Sequence, residues 1–305
     1  MERKLACWLP FSCGRLSRLY TRRIVLWMHE IAELRVRRAM GFKIPSVVSI
    51  AGSDSSGGAG IQADLKTIEA LGLFAQTAIT ALTAQNTLGV SGVLDVPSEF
   101  VVQQIDAVFD DIRPGAVKIG MVSSALNVVA IAESLRAHAA ENIVVDPVMV
   151  STSGSRLISD SASEALTGRL FPLASVITPN IPEAEVLWGR GIATKRDMEA
   201  AAGELSERFG VAVLVKGGHG ISDADDVLAE RGFTCWLPGE RIGNDNTHGT
   251  GCTLSSAIAC GLAKGFTVFE ACEYAKRYIS GALAAQLDLG KGSGPLDHMW
   301  EHRGR

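Results

Sequence analysis

Short β-branched runs alternate with longer helical patterns from Ser46 to Gln286, and this alternation limits the fold more than any other feature of the chain. Ser46–Ala51 reads as a buried strand, followed by the Gly/Ser-rich loop Gly52–Gly60 and a helix from about Ile61 to Leu71 that stops at Gly72. Thr77–Ala84 reads as the next strand and Gln85–Thr87 as a loop. Helical patterns then cover Phe100–Asp110, Val128–Ala139, Ser161–Leu170 and Met198–Phe209. Strand patterns cover Ala116–Gly120, Asn142–Val145, Ser175–Thr178, Val211–Val215, Val227–Leu228 and Phe233–Leu237. Two helices, about Cys252–Lys264 and Val268–Gln286, close the pattern. Alternation of this kind predicts an α/β fold with a mostly parallel sheet covered on both faces. No internal repeat or low-complexity tract interrupts it after residue 45, so a single domain from 46 to 305 is expected.

In such sheets ligands bind beyond the carboxyl ends of the strands. The predicted strand ends carry Gly52–Gly60, Gln85-Asn86, Gly120-Met121, Asp146, Asn180 with Glu183, and Lys216-Gly-Gly-His219. The sharpest of these signals is the run Asn246-Thr-His-Gly-Thr-Gly-Cys-Thr253, a glycine-broken loop that enters an apolar helix. Its glycines permit a tight turn and close approach to a ligand. The helix start then offers unpaired N–H groups and a positive dipole end to an anion, typically phosphate. Cys252 at that position is expected to have a lowered thiol pKa.

Each residue also has a plainer reading. Asp146 before Pro147 forms turns, and Asn180 with Glu183 makes a helix cap with a first-turn acid. Lys216 reads as a solvated strand-end lysine, and Gln85 as a satisfier of loop backbone. Taken together, an anion hole, a lysine and two acids at sheet ends are the parts of a phosphoryl-transfer site, with the acids holding Mg²⁺ through waters. Two other motif readings are weaker. Gly52–Gly57 has P-loop spacing, but Gly58-Ala59 stand where lysine and a hydroxyl are needed. Gly58-Ala-Gly-Ile-Gln-Ala63 fits a dinucleotide fingerprint, but the next strand lacks the acid for the ribose. The histidines, His219 and His248 included, show no ligand spacing and receive no catalytic role.

Charge and cysteine usage narrow the classes further. The 305 residues carry a net charge of only -4, which implies no nucleic-acid partner. The charge is uneven: residues 1–45 hold ten Lys+Arg against three Glu, a net +7, so the rest carries -11. This basic extension, which mixes Trp8, Phe11 and Trp27 with arginines, stands outside the fold. Three readings compete for it: a transit peptide, an amphipathic helix with Ile24, Leu26, Trp27, Ile31 and Leu34 on its apolar side, or an upstream start with the true one at Met28 or Met40. The last is favoured. Cys7, Cys13, Cys235, Cys252, Cys260 and Cys272 form no CxxC pair, which indicates free thiols in a reducing, cytoplasmic setting. No apolar run is long enough to span a bilayer.

From Ser46 to about His298 the chain resembles the hydroxymethylpyrimidine/phosphomethylpyrimidine kinases of thiamine biosynthesis, within the ribokinase-like superfamily. The resemblance rests on Ile50-Ala-Gly-Ser-Asp-Ser-Ser-Gly-Gly-Ala-Gly-Ile-Gln-Ala-Asp-Leu-Lys66, Ala84-Gln-Asn-Thr87, Lys118-Ile-Gly-Met121, Asp146-Pro-Val-Met149, Thr178-Pro-Asn-Ile-Pro-Glu-Ala184, Lys216-Gly-Gly-His219 and Asn246–Thr253. It implies a three-layer αβα sandwich without a large lid, a homodimer, ATP and Mg²⁺. It also implies phosphorylation of 4-amino-5-hydroxymethyl-2-methylpyrimidine and then of the monophosphate, with pyridoxal/pyridoxine kinase as the neighbouring activity.

By the matching motifs, Gln85 reads the aminopyrimidine edge, while Gly52, Ala59, Asp64, Met121 and Val148 line the pocket. Lys216, Asn180 and Thr250 contact ATP. Asp146 and Glu183 organise the metal. Gly249, Gly251, Lys216 and Cys252 carry the transfer, with Cys252 as base. The sugar kinases of the superfamily have aspartate at that place. A thiol spares the second step the repulsion between a carboxylate and a phosphorylated acceptor, about 4 kcal/mol for unit charges at ~4 Å and an effective dielectric of ~20. A ligand-sensing protein on the same fold and a dinucleotide-dependent oxidoreductase are the alternatives from other classes.

Overall fold

The structure, a computed structural model, describes residues 44–149, 158–218, 220 and 223–303. The basic extension up to residue 43, with its three competing readings, and His219 lie outside the described residues. The described residues build nine strands in one sheet, in the order β3-β2-β1-β4-β5-β6-β7-β8-β9. The strands are β1 (Ser46–Asp54), β2 (Phe74–Asn86), β3 (Gly89–Asp95), β4 (Ala116–Ile119), β5 (Ile143–Val145), β6 (Val176–Ile177), β7 (Ala212–Val215), β8 (Asp226–Glu230) and β9 (Phe233–Leu237). From β2 through β7 neighbouring strands are parallel; β3, β8 and β9 add antiparallel edges.

Alternate strand residues feed two separate cores. Val48, Ile50, Val117, Ile119, Val145, Ile177 and Val213 face one layer, with α2 (Ser98–Asp111), α3 (Ala125–Ala137), the short α4 (Asp160–Ala165), α5 (Ile181–Trp188) and α6 (Lys195–Phe209). Val47, Ala116, Val144, Val176, Ala212 and Leu214 face the other, with α1 (Gly60–Ala70), α7 (Thr250–Ala263) and α8 (Val268–Ala284). This is why the central strands read as continuous apolar runs instead of alternating ones. The expected three-layer sandwich is therefore present, and among the described residues no separate lid domain is added to it. None of the described helices is long and apolar enough to cross a membrane.

Helix α7 is buried all round from Thr253 to Leu262. A helix of this kind lies inside the protein, and here it packs between the sheet, α1 and α8. Its partner α8 is amphipathic and starts at a Thr267–Glu270 capping box.

Three local expectations change. Gln85 and Asn86 continue β2 instead of forming a loop, and β3 pairs back on them. Gly89 and Gly92 dilute the strand signal of β3, so periodicity did not reveal it. Helix α5, only eight residues long, follows Asn180 directly. The register of β1 against β2 shifts around Gly52, and that of β2 against β3 shifts between Ala84 and Gln85. Such bulges re-aim side chains, and both fall on residues expected at the site.

One ion pair is sealed within the fold. Lys118 Nζ on β4 lies 2.8 Å from Asp64 Oδ2 on α1, both side chains fully buried. Ser49 Oγ donates to Asp64 Oδ2 and Ser256 Oγ, on α7, to Asp64 Oδ1. One carboxylate thus joins α1, α7, β1 and β4. Removing a single partner would strand a buried charge, whereas replacing both by apolar groups is often tolerated. Lys118→Met should lower stability by about 3–5 kcal/mol in chemical denaturation, with Asp64→Leu/Lys118→Met losing less than the single variant. A double variant less stable than Lys118→Met would refute this account.

Candidate active site

The parallel strands end on one side of the sheet, where two loops from distant parts of the chain meet. The first links β1 to α1. Asp54 organises it: its Oδ1 accepts from Ser56 N (2.8 Å) and Ser56 Oγ (2.7 Å), and its Oδ2 from Gly58 N (3.1 Å) and Ala59 N (2.8 Å). Burial opposes the charge of Asp54, but these donors and His248 outweigh it and hold the carboxyl well below the usual range.

The second loop precedes α7. Gly249 caps this helix with φ +84, and a side chain there would run into the carbonyl oxygen of Gly58. Only glycine meets both demands. Gly251 sits in the first turn, where a Cβ would lie 3.1 Å from Asp146 Oδ2 and 3.4 Å from Lys216 Nζ. The first-turn amides of Gly251 and Cys252 have no acceptor within the helix. The expected anion loop therefore opens beside a lysine and a carboxylate.

Lys216, at the end of β7, places Nζ 2.8 Å from Asp146 Oδ1, which Thr178 Oγ1 also approaches at 3.3 Å. Burial pulls the lysine pKa down, but Asp146 and Glu183 more than offset it, so the ammonium is held above its usual value. Glu183 is 2% exposed. Its Oε2 accepts from Asn180 N (2.9 Å) and its Oε1 from Met149 N (3.0 Å), while Asn180 Oδ1 accepts from Glu183 N (2.9 Å). Asn180 and Glu183 thus form the capping box of α5 that the plainer reading foresaw. Burial and the nearby Asp146 charge raise the Glu183 pKa against the pull of Lys216. Thr250 Oγ1 donates to Thr247 O at 2.6 Å and steadies the turn.

Among the described residues no three histidine, cysteine or carboxylate side chains gather into a direct metal cage. Mg²⁺ needs only one or two carboxylates when phosphates and waters supply the rest. Asp146, with Oδ2 turned toward Gly251, fits that requirement; Glu183, buried with both oxygens accepting backbone N–H groups, contributes the charge it presents to Lys216.

The residues expected around a pyrimidine divide. Gly52 faces Met121, whose Cε would lie 2.6 Å from an added Cβ. Met121 O accepts from Thr80 Oγ1 at 2.8 Å. Ala59 is the N-cap of α1, and half-buried Val148 has φ +45, a conformation a β-branched residue rarely adopts. Such strain clusters at functional sites. Gln85 lies at the end of β2, clamped by Ser55 Oγ, which accepts from its N–H and donates to its carbonyl, each at 2.8 Å. Asp64 departs from expectation. It is fully buried with both oxygens taken by Lys118, Ser49 and Ser256, so it supports the floor of the site instead of lining a pocket.

Cys252 also departs from expectation. The helix terminus and Lys118 favour the thiolate, and Gly60 N–H points at the sulfur. Burial outweighs them, aided by the charges of Asp64 and Asp146, and pushes the thiol up to about 11. Sequence reasoning saw the helix start but not the burial that outweighs it.

Sequence reasoning gave His248 no role, because it shows no ligand spacing. Its Nε2 lies 2.8 Å from Asp54 Oδ2 and 3.3 Å from the Gln85 amide. The one available signal was its place next to Gly249.

Fold and site together define a small-molecule kinase. A family profile for phosphomethylpyrimidine kinase matches residues 54–297. The hydroxymethylpyrimidine/phosphomethylpyrimidine kinase of Rhizobium meliloti is 51% identical over 256 residues, covering 83% of this chain and 96% of that protein. The thiamine biosynthesis bifunctional protein ThiED of Geobacter sulfurreducens is 50% identical over 88% of this chain, which spans only 55% of that longer protein. Among solved structures, phosphomethylpyrimidine kinase from Clostridium difficile superposes with a TM-score of 0.70 at 46% identity, covering 78% of this chain and 98% of that one. An ADP complex of Bacillus subtilis pyridoxal kinase superposes at 0.80 with 34% identity, covering 86% and 100%. The chain belongs to the phosphomethylpyrimidine kinase family.

The thiol pKa is directly measurable. A thiol near 11 is protonated at neutral pH, so alkylation of Cys252 by iodoacetamide should be slow there. It should quicken about tenfold per pH unit between about pH 7 and pH 10, following the thiolate fraction. A plateau already reached by about pH 8 would contradict the burial argument.

Proposed function

We propose that the chain uses ATP and Mg²⁺ to phosphorylate 4-amino-5-hydroxymethyl-2-methylpyrimidine and then its monophosphate, in thiamine biosynthesis. The observation that carries this reading is the meeting of the Gly249–Cys252 helix start with the Lys216–Asp146 pair on one side and Gln85 on the other, in a member of this family. Related kinases solved with ADP and with AMP-PCP support ATP as the donor.

In this reading Lys216 holds the phosphates of ATP, with Asn180 and Thr250 at the edge of the same cradle. Asp146 would hold Mg²⁺, with Glu183 helping to organise its waters, and the ion would neutralise phosphate charge. The amides of Gly251 and Cys252 receive the charge spread over the transferring phosphoryl oxygens. Gln85, Gly52, Ala59, Met121 and Val148 enclose the acceptor. The hydroxymethyl oxygen forms the new P–O bond as the bond to the ADP oxygen breaks. A protonated Cys252 limits its part as base at neutral pH. It orients the hydroxyl through a weak S–H hydrogen bond, and the loose transition state leaves the hydroxyl proton in place until late, when it passes to an oxygen of the transferred phosphoryl group and from there to water. For the second transfer the acceptor is a phosphate already largely ionised, so no base is needed. An uncharged thiol places no anion against it.

Pyridoxal kinase is the second reading, favoured by the structural likeness to the Bacillus subtilis enzyme. Mass spectrometry of products from ATP, Mg²⁺ and the hydroxymethylpyrimidine should show two successive phosphoryl additions. A single addition, or faster turnover of pyridoxal, would favour the vitamin B6 activity.

Cytoplasmic placement agrees with the free thiols at Cys235, Cys252, Cys260 and Cys272. A homodimer is supported by the edge strand β3, whose Val90, Val93 and Leu94 stand exposed together with Leu88. An apolar edge of this kind invites a partner strand, and a second copy supplies one. Sedimentation should give twice the chain mass for the parent and one chain mass for Val93→Lys/Leu94→Glu. A monomeric parent would defeat the dimer.

A further inference from the structure

His248 and Asp54 form a pair that no step above uses. Asp54 is a carboxylate with four other donors around it and no proton to give. His248 Nε2, 2.8 Å from Asp54 Oδ2, must therefore be the donor in that contact. The same nitrogen lies 3.3 Å from Gln85 Nε2, so two N–H groups would face each other. On the far side of the amide, Thr83 Oγ1 lies 3.1 Å from Gln85 Oε1, yet its single hydrogen is already directed at Ser53 O, 2.9 Å away.

A half-turn of the Gln85 amide resolves both conflicts, because the two ends are distinguished only by their partners. Gln85 Oε1 then accepts from His248 Nε2–H, which it shares with Asp54. Gln85 Nε2 donates to Thr83 Oγ1, which donates to Ser53 O. Every donor meets an acceptor. The flanking valences of the amide are thereby filled. Its outer edge keeps one oxygen lone pair and one N–H, side by side in a fixed order. That edge complements a ring nitrogen next to an exocyclic amino group, which offer an acceptor and a donor in matching order. Reversed, it would set donor against donor and acceptor against acceptor.

We propose that His248, held by Asp54, is a specificity-determining positioning residue that fixes the direction of the Gln85 amide and so selects an aminopyrimidine over a ring lacking the amino group. This rests on the reading that Gln85 meets the pyrimidine. Its position beside the anion loop suits the role. The backbone contact between Gly249 and Gly58 holds His248 in place, and an added Cβ on Gly58 would strike its ring.

The test uses the full chain and steady-state kinetics with hydroxymethylpyrimidine, pyridoxal and ATP varied in turn. His248→Leu should raise KM for the pyrimidine about tenfold, the worth of roughly one misdirected hydrogen bond. KM for pyridoxal, KM for ATP and kcat should change by less than about twofold, within the margin of a side chain that touches neither. His248→Gln, which keeps an N–H at similar reach, should restore most of the loss. In Gln85→Leu the His248→Leu change should add nothing further. If His248→Leu does not fold, His248→Asn, which retracts the donor, carries the same expectation. Parallel losses for pyrimidine, pyridoxal and ATP, or additive effects in the double variant, would overturn the proposal. An unchanged pyrimidine KM in Gln85→Leu would instead refute the role of Gln85. A raised KM in Gln85→Leu with none in His248→Leu would refute the positioning role alone.

Discussion

The site depends on a backbone contact between Gly249 and Gly58, two residues almost two hundred positions apart in the chain. Where a Cβ on Gly249 would stand, the carbonyl of Gly58 already stands. This contact brings the start of α7 against the start of α1, so two helix N-termini converge above the same strand ends. The amides of α7 and the polar groups of the β1–α1 loop share one space because neither loop carries bulk at the junction. A methyl group there would force the loops apart, and the helix start would separate from the β1–α1 loop.

Three carboxylates, each paired with a basic side chain, surround that junction, and their exposure grades their roles. Asp64–Lys118 is completely sealed and ties four elements together. A pair this buried returns little net stability but is costly to break on one side. Asp146–Lys216 is slightly open and presents a lysine held firmly charged, suited to phosphate. Asp54–His248 is the most accessible on the histidine side and reaches toward the amide of Gln85. Cys252 sits among these charges. Its protonation is the balance of Lys118 and a helix terminus against burial and two carboxylates, and burial prevails. A motif that names the thiol and the helix cannot report that balance.

Much of the frame was legible in the chain. Continuous apolar runs such as Val211–Val215 announced strands buried on both faces, and the small apolar residues after Cys252 announced a buried helix. The glycines at 249 and 251 announced a close approach, and the polar strand ends marked one side of the sheet. Less legible were features set by neighbours distant in sequence. Gln85 belongs to a strand because β3 pairs with it, although the local sequence has the look of a turn. Asp64 was assigned to a pocket by its motif, yet Lys118 and two serines claim it. Asn180 and Glu183 are three residues apart, and there the local cap reading was confirmed in geometry.

The sequence by itself determined the alternation of the parallel strands with most of their helices, the two-faced sheet and the glycine loop, because periodicity and backbone freedom are local properties of the chain. Only the tertiary structure decided which charges oppose one another: Asp54 with His248, Asp64 with Lys118, Asp146 with Lys216. Protonation states and amide direction follow from those pairings, since each depends on burial and on partners tens to hundreds of residues away.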